Sequence, residues 1–182
     1  FFGTYPVDRL DIPRMQTLDG ATGMNLEQVF GDMTEYENWS DAEERKEIDA
    51  DTSKPVNMIG STMLVDVIEN YFEPEKLTDK EKVLYRWIKK HMDARLNGKE
   101  YAPGCYPPGI LLGCTWKPEV IRKVGEALGM ESCLYGVHFL LGPNVNILRD
   151  PRNGRLFEGY SEDPYLVTKL APEIVKGIQS YG

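Results

Sequence analysis

VHFLLGPNVNILRDPRNGRLFEG, Val137 to Gly159, is the stretch whose reading decides the fold. Its opening apolar run, Val137 to Leu141, predicts a buried strand, and Gly142-Pro143 ends it, because proline cannot donate to a ladder. A loop follows, carrying Asn144, Asn146, Arg149, Asp150, Arg152, Arg155 and Glu158 in close order. That density of bidentate donors and acceptors is more than a plain connector needs, and loops set at strand ends are where binding groups concentrate.

Working outward, Val120, Ile121, Val124 and Leu128 recur at helical spacing, with Glu119, Arg122, Lys123 and Glu126 between them and Pro118 at the first helical position. Before that helix, Ile110 to Gly113 predicts another strand, and Trp116 reads as a packing residue. After the loop, Asp163-Pro164 caps a last helix that Pro172 is expected to kink or split near Leu170. Near the start, Arg14 to Leu18 predicts a strand after a turn at Ile12-Pro13, ending at Asp19-Gly20. Strands alternating with helices predict an α/β fold with a parallel sheet and helices outside. In a parallel barrel the carboxyl ends of the strands build the active face, which places Asp19 on that rim. Taken locally, Asp-Gly reads first as an ordinary turn pair. His138, between Val137 and Phe139, reads as a satisfied core or barrel-wall histidine.

Composition narrows the function. With 182 residues and 41% hydrophobic content the chain has enough apolar mass for an ordinary core. A net charge of −8 and a pI near 4.9 exclude nucleic acid and anionic membrane as expected partners, since phosphate binding needs a basic face. No apolar run approaches the roughly 18 residues of a membrane span. Cys105, Cys114 and Cys133 are odd in number and widely spaced, and only two histidines, His91 and His138, accompany them. Neither a zinc site nor a disulfide framework is expected, and no cofactor. No GxSxG, HExxH, Walker or GxGxxG motif occurs. The chain begins at Phe1 without the pattern of a signal peptide, and its compartment is left unassigned.

GPNVNILRDPRNGRLFEGYSEDPYL, followed by KLAPEIVKGIQSYG, is preceded in order by IPRMQTLDGATG (Ile12 to Gly23) and YPPGILLGCTWKPEVIRKVGEALGMES (Tyr106 to Ser132). These three blocks resemble the N-terminal barrel domain of the family 3 glycoside hydrolases, nearest to its β-glucosidase branch. The resemblance implies a partial (β/α)8 TIM-type barrel, about the first three βα units, within residues 1–182. It implies an exo-acting β-glucosidase that releases glucose from non-reducing ends of a β-glucoside or oligosaccharide by a retaining two-step mechanism. Asp19 would then hydrogen-bond hydroxyls of the sugar in subsite −1, Arg155 would reach the same hydroxyls, and Glu158 would support the arginine cluster. Arg149, Asp150 and Arg152 would brace the loop by ion pairs. The EGYSEDP wording leans toward glucosides, with β-xylosides or N-acetylglucosaminides as alternative substrates.

The same resemblance implies no catalytic residue in this chain: the nucleophile, the acid/base and a sugar-binding Lys-His pair are expected outside it. A closed barrel needs eight strands and about 250 residues. The chain is therefore expected to be a piece that meets the remaining barrel and a second domain of the same protein, or a partner chain. The alternative is a truncated, non-catalytic unit that binds sugar or serves as a structural or interaction module. The resemblance departs at Asn25, where many members carry arginine.

From about Leu26 to Pro103 the pattern is left altogether, and residues 26–103 are expected to form a helical insertion. Asp32 to Asp51 reads as acidic exposed loop and short helix. Ser61 to Phe72 places Met63, Leu64, Val67, Ile68 and Tyr71 on one helical face, and Pro74 stops it. Thr78 with Glu81 forms a capping-box pattern that opens a helix to about Leu96, with Leu84, Trp87, Ile88 and Met92 on one stripe and Gly98 as its stop. The two stripes are expected to pack on each other and on the barrel wall. A role in walling the substrate cleft or docking a partner domain is the sharper reading.

Overall fold

Two short parallel strands organise the part of the chain that carries the loop. The computed structural model describes residues 4–36, 44, 62–99 and 102–181. They belong to two compact units, Asn25–Tyr101 with Phe1–Gly3, and Thr4–Met24 with Ala102–Gly182.

In the second unit β1 (Thr17–Asp19) pairs in parallel with β2 (Phe139–Leu141), in the register Thr17↔Phe139, Leu18↔Leu140 and Asp19↔Leu141. Leu18 is fully buried. Phe139 and Leu141 are 52% and 50% exposed, so the strand expected to be buried covers only one face among the described residues. His138 is likewise exposed rather than in the core. It stands one residue before β2, where its Nδ1 accepts the Gln16 backbone N–H at 3.0 Å and so lengthens the ladder.

The strand expected at Ile110–Gly113 is instead a helix, α4 (Gly109–Gly113). A short apolar run carries too few residues for its period to separate strand from helix. Tertiary contact decides: a Cβ on Gly109 would stand 2.0 Å from the Glu158 carbonyl oxygen, and one on Gly113 2.0 Å from that of Tyr160. The bare glycine edge lets a helical turn lie directly on the Glu158–Tyr160 backbone. Among the described residues the sheet therefore has two strands rather than three.

The long helices α5 (Pro118–Tyr135) and α6 (Pro164–Ile178) follow the apolar spacing and form the main packing contact of this unit. Ile121, Leu128 and Tyr135 of α5 are buried, as are Val167, Leu170 and Ile174 of α6. Asp163 Oδ1 accepts the Tyr165 N–H at 2.8 Å, satisfying one of the orphan donors at the start of α6. Pro172 does not split α6, which runs unbroken through it. Pro172 and Thr168, whose carbonyl loses its helical donor there, are both on the exposed side, while Ala171 and Ile174 are buried. On that side the lost donor costs least, and the buried face carries the helix through. Trp116, expected to pack, is 71% exposed and adopts φ 54°, a left-handed conformation uncommon for a bulky residue.

The first unit contains α1 (Leu26–Tyr36), α2 (Thr62–Glu69) and α3 (Asp79–Arg95). Their buried faces meet through Val29, Phe30, Leu64, Val67, Leu84 and Ile88. Most of the acidic stretch Asp32–Asp51, and Ser61, lie outside the described residues. Asn25, the departure noted above, caps α1: its Oδ1 accepts the Gln28 N–H at 3.2 Å. At the start of α3 the capping box is complete, with Thr78 Oγ1 accepting from Glu81 N–H and Glu81 Oε2 accepting from Thr78 N–H at 2.8 Å. Thr78→Ala is expected to lower the unfolding free energy of this unit by about 1 kcal/mol. Urea denaturation followed by Trp87 fluorescence checks it, and an unmoved midpoint would mean that the cap does not hold α3. No helix among the described residues is long and apolar enough to cross a membrane.

Candidate functional site

Because β1 and β2 are parallel and in register, Asp19 and Leu141 end together at the carboxyl edge of the sheet. Asp19 is exposed there, and the loop that begins at Gly142 leaves from the same edge. Asn144 opens that loop with an Asx-type turn, its Oδ1 accepting the Asn146 N–H at 3.1 Å. Asn153 does the same for the Arg155 N–H at 3.0 Å. A 3-10 turn, Leu156–Glu158, then brings Glu158 back toward Arg155.

Arg155 and Glu158 form a forked pair. Arg155 Nε–H donates to Glu158 Oε1 and Nη2–H to Oε2, both at 2.7 Å, and Asn144 Nδ2 donates to Oε2 at 3.0 Å. These bonds hold the Glu158 carboxyl below its usual range, the Arg155 bond contributing most and the Asn144 bond next. Reciprocally, the hydrogen bond and charge of Glu158 hold Arg155 still more firmly protonated, with a smaller push from the Asp19 charge. Arg155 thus carries the forked bond to Glu158 and feels the Asp19 charge more weakly. With two of its donors committed, the guanidinium retains three N–H groups to offer elsewhere.

The other charged residues of the loop do different work. Arg152 forks onto Asp150, with Nε–H to Oδ1 at 3.0 Å and Nη2–H to Oδ2 at 2.7 Å, and this pair pulls the Asp150 carboxyl down. Arg149 and Asp150 line a cleft of about 510 Å³ that also includes Trp116, Cys114 and Leu156. Arg155 lines a smaller one of about 280 Å³, together with Asn144, Asn146 and Gly159. The larger concavity is therefore not the one at the Arg155–Glu158 pair. Leu148 borders both.

The sequence groups Asn144 with Arg155 and Glu158 in one loop but gives it no partner; the structure supplies one in the Glu158 carboxylate. Tyr160, at the floor of the larger cleft, is 4% exposed, and burial pushes its phenol up to about 12. A group whose pKa rises on folding contributes stability that is intact below its unfolded pKa, near 10, and is lost as pH rises toward 12. The expected loss over that window is on the order of 2–3 kcal/mol. Tyr160→Phe should flatten the high-pH limb of a stability profile, and an unchanged limb would refute the assignment. Among the described residues no group of three or more His, Cys, Asp or Glu is placed to hold a metal ion.

The family described as "Glycosyl hydrolase family 3 N terminal domain" matches residues 92–182, half of the chain. An "Exo-alpha-(1->6)-L-arabinopyranosidase" of Bifidobacterium longum is 51% identical over 78 residues, covering 43% of this chain and 10% of the relative. A "Thermostable beta-glucosidase B" of Acetivibrio thermocellus is 49% identical over the same length, with the same coverage. Among solved structures, β-glucosidase 3B from Thermotoga neapolitana in complex with α-D-glucose aligns with 98% of this chain and 16% of its own, at a TM-score of 0.56 and 26% identity. The chain spans about a tenth of the length of these curated relatives.

Proposed function

Since the chain belongs to the N-terminal domain of glycosyl hydrolase family 3, we propose that it supplies the sugar-binding side of a retaining, exo-acting β-glucosidase. The observation that carries this reading is the forked Arg155–Glu158 pair at the carboxyl edge of a parallel sheet, with the Asp19 charge felt at Arg155. Arg155 donates from its uncommitted N–H groups to vicinal hydroxyls, a planar geometry that lysine cannot copy. Glu158, braced by Asn144, fixes the guanidinium plane. Asp19 accepts from hydroxyls on the same sugar. The nucleophile and the acid/base, two carboxyl groups about 5–5.5 Å apart in retaining enzymes, are assigned to no residue of this chain.

On this reading the fold is the opening part of a (β/α)8 barrel, and residues 26–103 are a helical insertion within it. The separate packing of α1, α2 and α3 supports the insertion. The test is hydrolysis of an aryl β-glucoside by the full-length protein with anomeric configuration followed by NMR. Retained configuration and glucose release are expected; activity confined to β-xylosides or N-acetylglucosaminides would remove the glucoside assignment.

A second substrate reading is favoured by the arabinopyranosidase relative. An α-L-arabinopyranoside lacks the hydroxymethyl group of a β-glucoside and differs from it at C4, but shares its 2- and 3-hydroxyls, so residues that bind those two serve both, and groups outside this chain would choose. Comparing kcat/KM on aryl β-glucoside and aryl α-L-arabinopyranoside separates the two.

A further inference from the structure

We propose that Glu131 and Tyr106 are positioning residues that hold the Asp19–Gly23 turn at the sugar, an inference that rests on reading Asp19 as a sugar ligand. Glu131 lies on α5 and is 1% exposed. A carboxyl group at that depth is tolerated where it is hydrogen-bonded, and Glu131 is so through one of its oxygens. Its Oε1 accepts two hydrogen bonds from a distant stretch of chain, from Gly104 N–H at 2.9 Å and from Tyr106 O–H at 2.7 Å. Buried to that depth, Glu131 makes no sugar contact itself.

What it fixes lies on the far side. Tyr106 N–H donates to the Thr22 carbonyl at 2.8 Å, and Gly23 N–H closes the turn onto the Gly20 carbonyl at 3.3 Å. Gly23 adopts φ +133°, and a Cβ there would stand 2.4 Å from the Gly104 carbonyl oxygen, so the turn presses directly on residues 104–106. Gly104 is equally confined, since its Cβ would meet the Tyr106 ring at 2.9 Å and Glu131 Oε1 at 3.0 Å. Contacts therefore run from Glu131 through Gly104 and Tyr106 to Thr22 and Gly23, and through Gly20 to Asp19. On its other flank the turn touches Gly142, whose Cβ would lie 3.1 Å from that of Ala21. The turn is gripped from both sides, by the strand-end loop and by α5.

The grip matters because α5 is held against α6 by backbone contact and gives little. A binding group displaced by about 1 Å costs up to about 100-fold in rate, so partial loosening of the turn should cost about tenfold. The experiment uses the full-length enzyme well below its thermal midpoint, with glucose as competitive inhibitor and an aryl β-glucoside as substrate. Tyr106→Phe, which deletes the donor but keeps the ring, is expected to raise the glucose Ki and the KM about tenfold, with kcat changing less. Glu131→Gln keeps an acceptor oxygen and is expected to stay within about threefold of wild type. Because Tyr106 acts through Asp19, adding Tyr106→Phe to Asp19→Asn should weaken binding little beyond Asp19→Asn alone. A lowered thermal midpoint with unchanged Ki and KM in Tyr106→Phe overturns the positioning role. Full additivity in the double variant overturns it as well. An Asp19→Asn enzyme that binds glucose as wild type does overturns the premise instead, and the two failures are told apart by that single variant.

Discussion

Arg155→Lys is expected to lower kcat/KM for an aryl β-glucoside about 10- to 100-fold in the full-length enzyme while leaving its thermal midpoint nearly unmoved, because it removes charge-assisted hydrogen bonds rather than core packing. Lysine keeps the charge but not the fork, so Glu158 and a sugar hydroxyl can no longer be served in one plane. Arg152→Lys is the matched control. Its ion pair with Asp150 has an almost fully exposed guanidinium, and such pairs contribute little. Equal kinetics for both variants would sink the assignment of Arg155 to the sugar. The pair also sets a pH dependence. Because the Glu158 carboxyl is lowered on folding, its contribution is present above the unfolded carboxyl range and is lost as pH falls through the depressed value. Sugar affinity should therefore fall on acidification, and Glu158→Gln should remove that part of the profile.

The second large effect concerns stability. Gly125→Ala is expected to destabilise the second unit by about 3 kcal/mol, the upper end of overpacking penalties, since its Cβ would stand 2.4 Å from the Ile174 carbonyl oxygen. The obstruction is backbone, so no side chain can swing aside. Gly177 faces the same restriction from the Arg122 carbonyl oxygen at 2.4 Å, and the two variants should be less than additive because one separation of α5 from α6 relieves both. Gly154→Ala, with nothing within 4 Å of its Cβ, should change stability by less than about 0.5 kcal/mol. Denaturant midpoints decide; a neutral Gly125→Ala would mean that the helices are not in backbone contact.

How far the sequence could be read depended on whether a signal was local. Thr78 and Glu81 satisfy each other three residues apart, and Asp163 caps the residues just after it, so both helix starts were legible without any tertiary information. The strand ends at Asp19 and Leu141 were legible from the turn residues that follow them. Ile110–Gly113 was not, because its helical state is decided by the Glu158 and Tyr160 backbone, some forty to fifty positions away along the chain. Pro172 misled for a similar reason: its cost depends on whether the orphaned carbonyl faces water, which the packing of α6 determines. In the site, the roles expected of Arg155 and Glu158 came from the family resemblance, and Asn144 was legible only as one of several polar residues in the loop. Its bond to Glu158, and the part played by Glu131, were not legible, since a hydrogen bond across the loop or from α5 leaves no periodic mark.

The ladder between β1 and β2 also governs how the chain is made. Gln16 and His138, which close its first contact, are 122 positions apart in sequence. At ribosomal speeds of about 5–20 residues per second, β1 leaves the ribosome ~6–24 s before its partner strand exists. For that interval Leu18 lacks the strand beside which it is buried among the described residues. α5 and α6, adjacent in sequence and joined by one loop, can associate as soon as both are synthesised, with little loop entropy to overcome. On these separations the Asp19 turn is expected to be fixed after α5 and α6 have met.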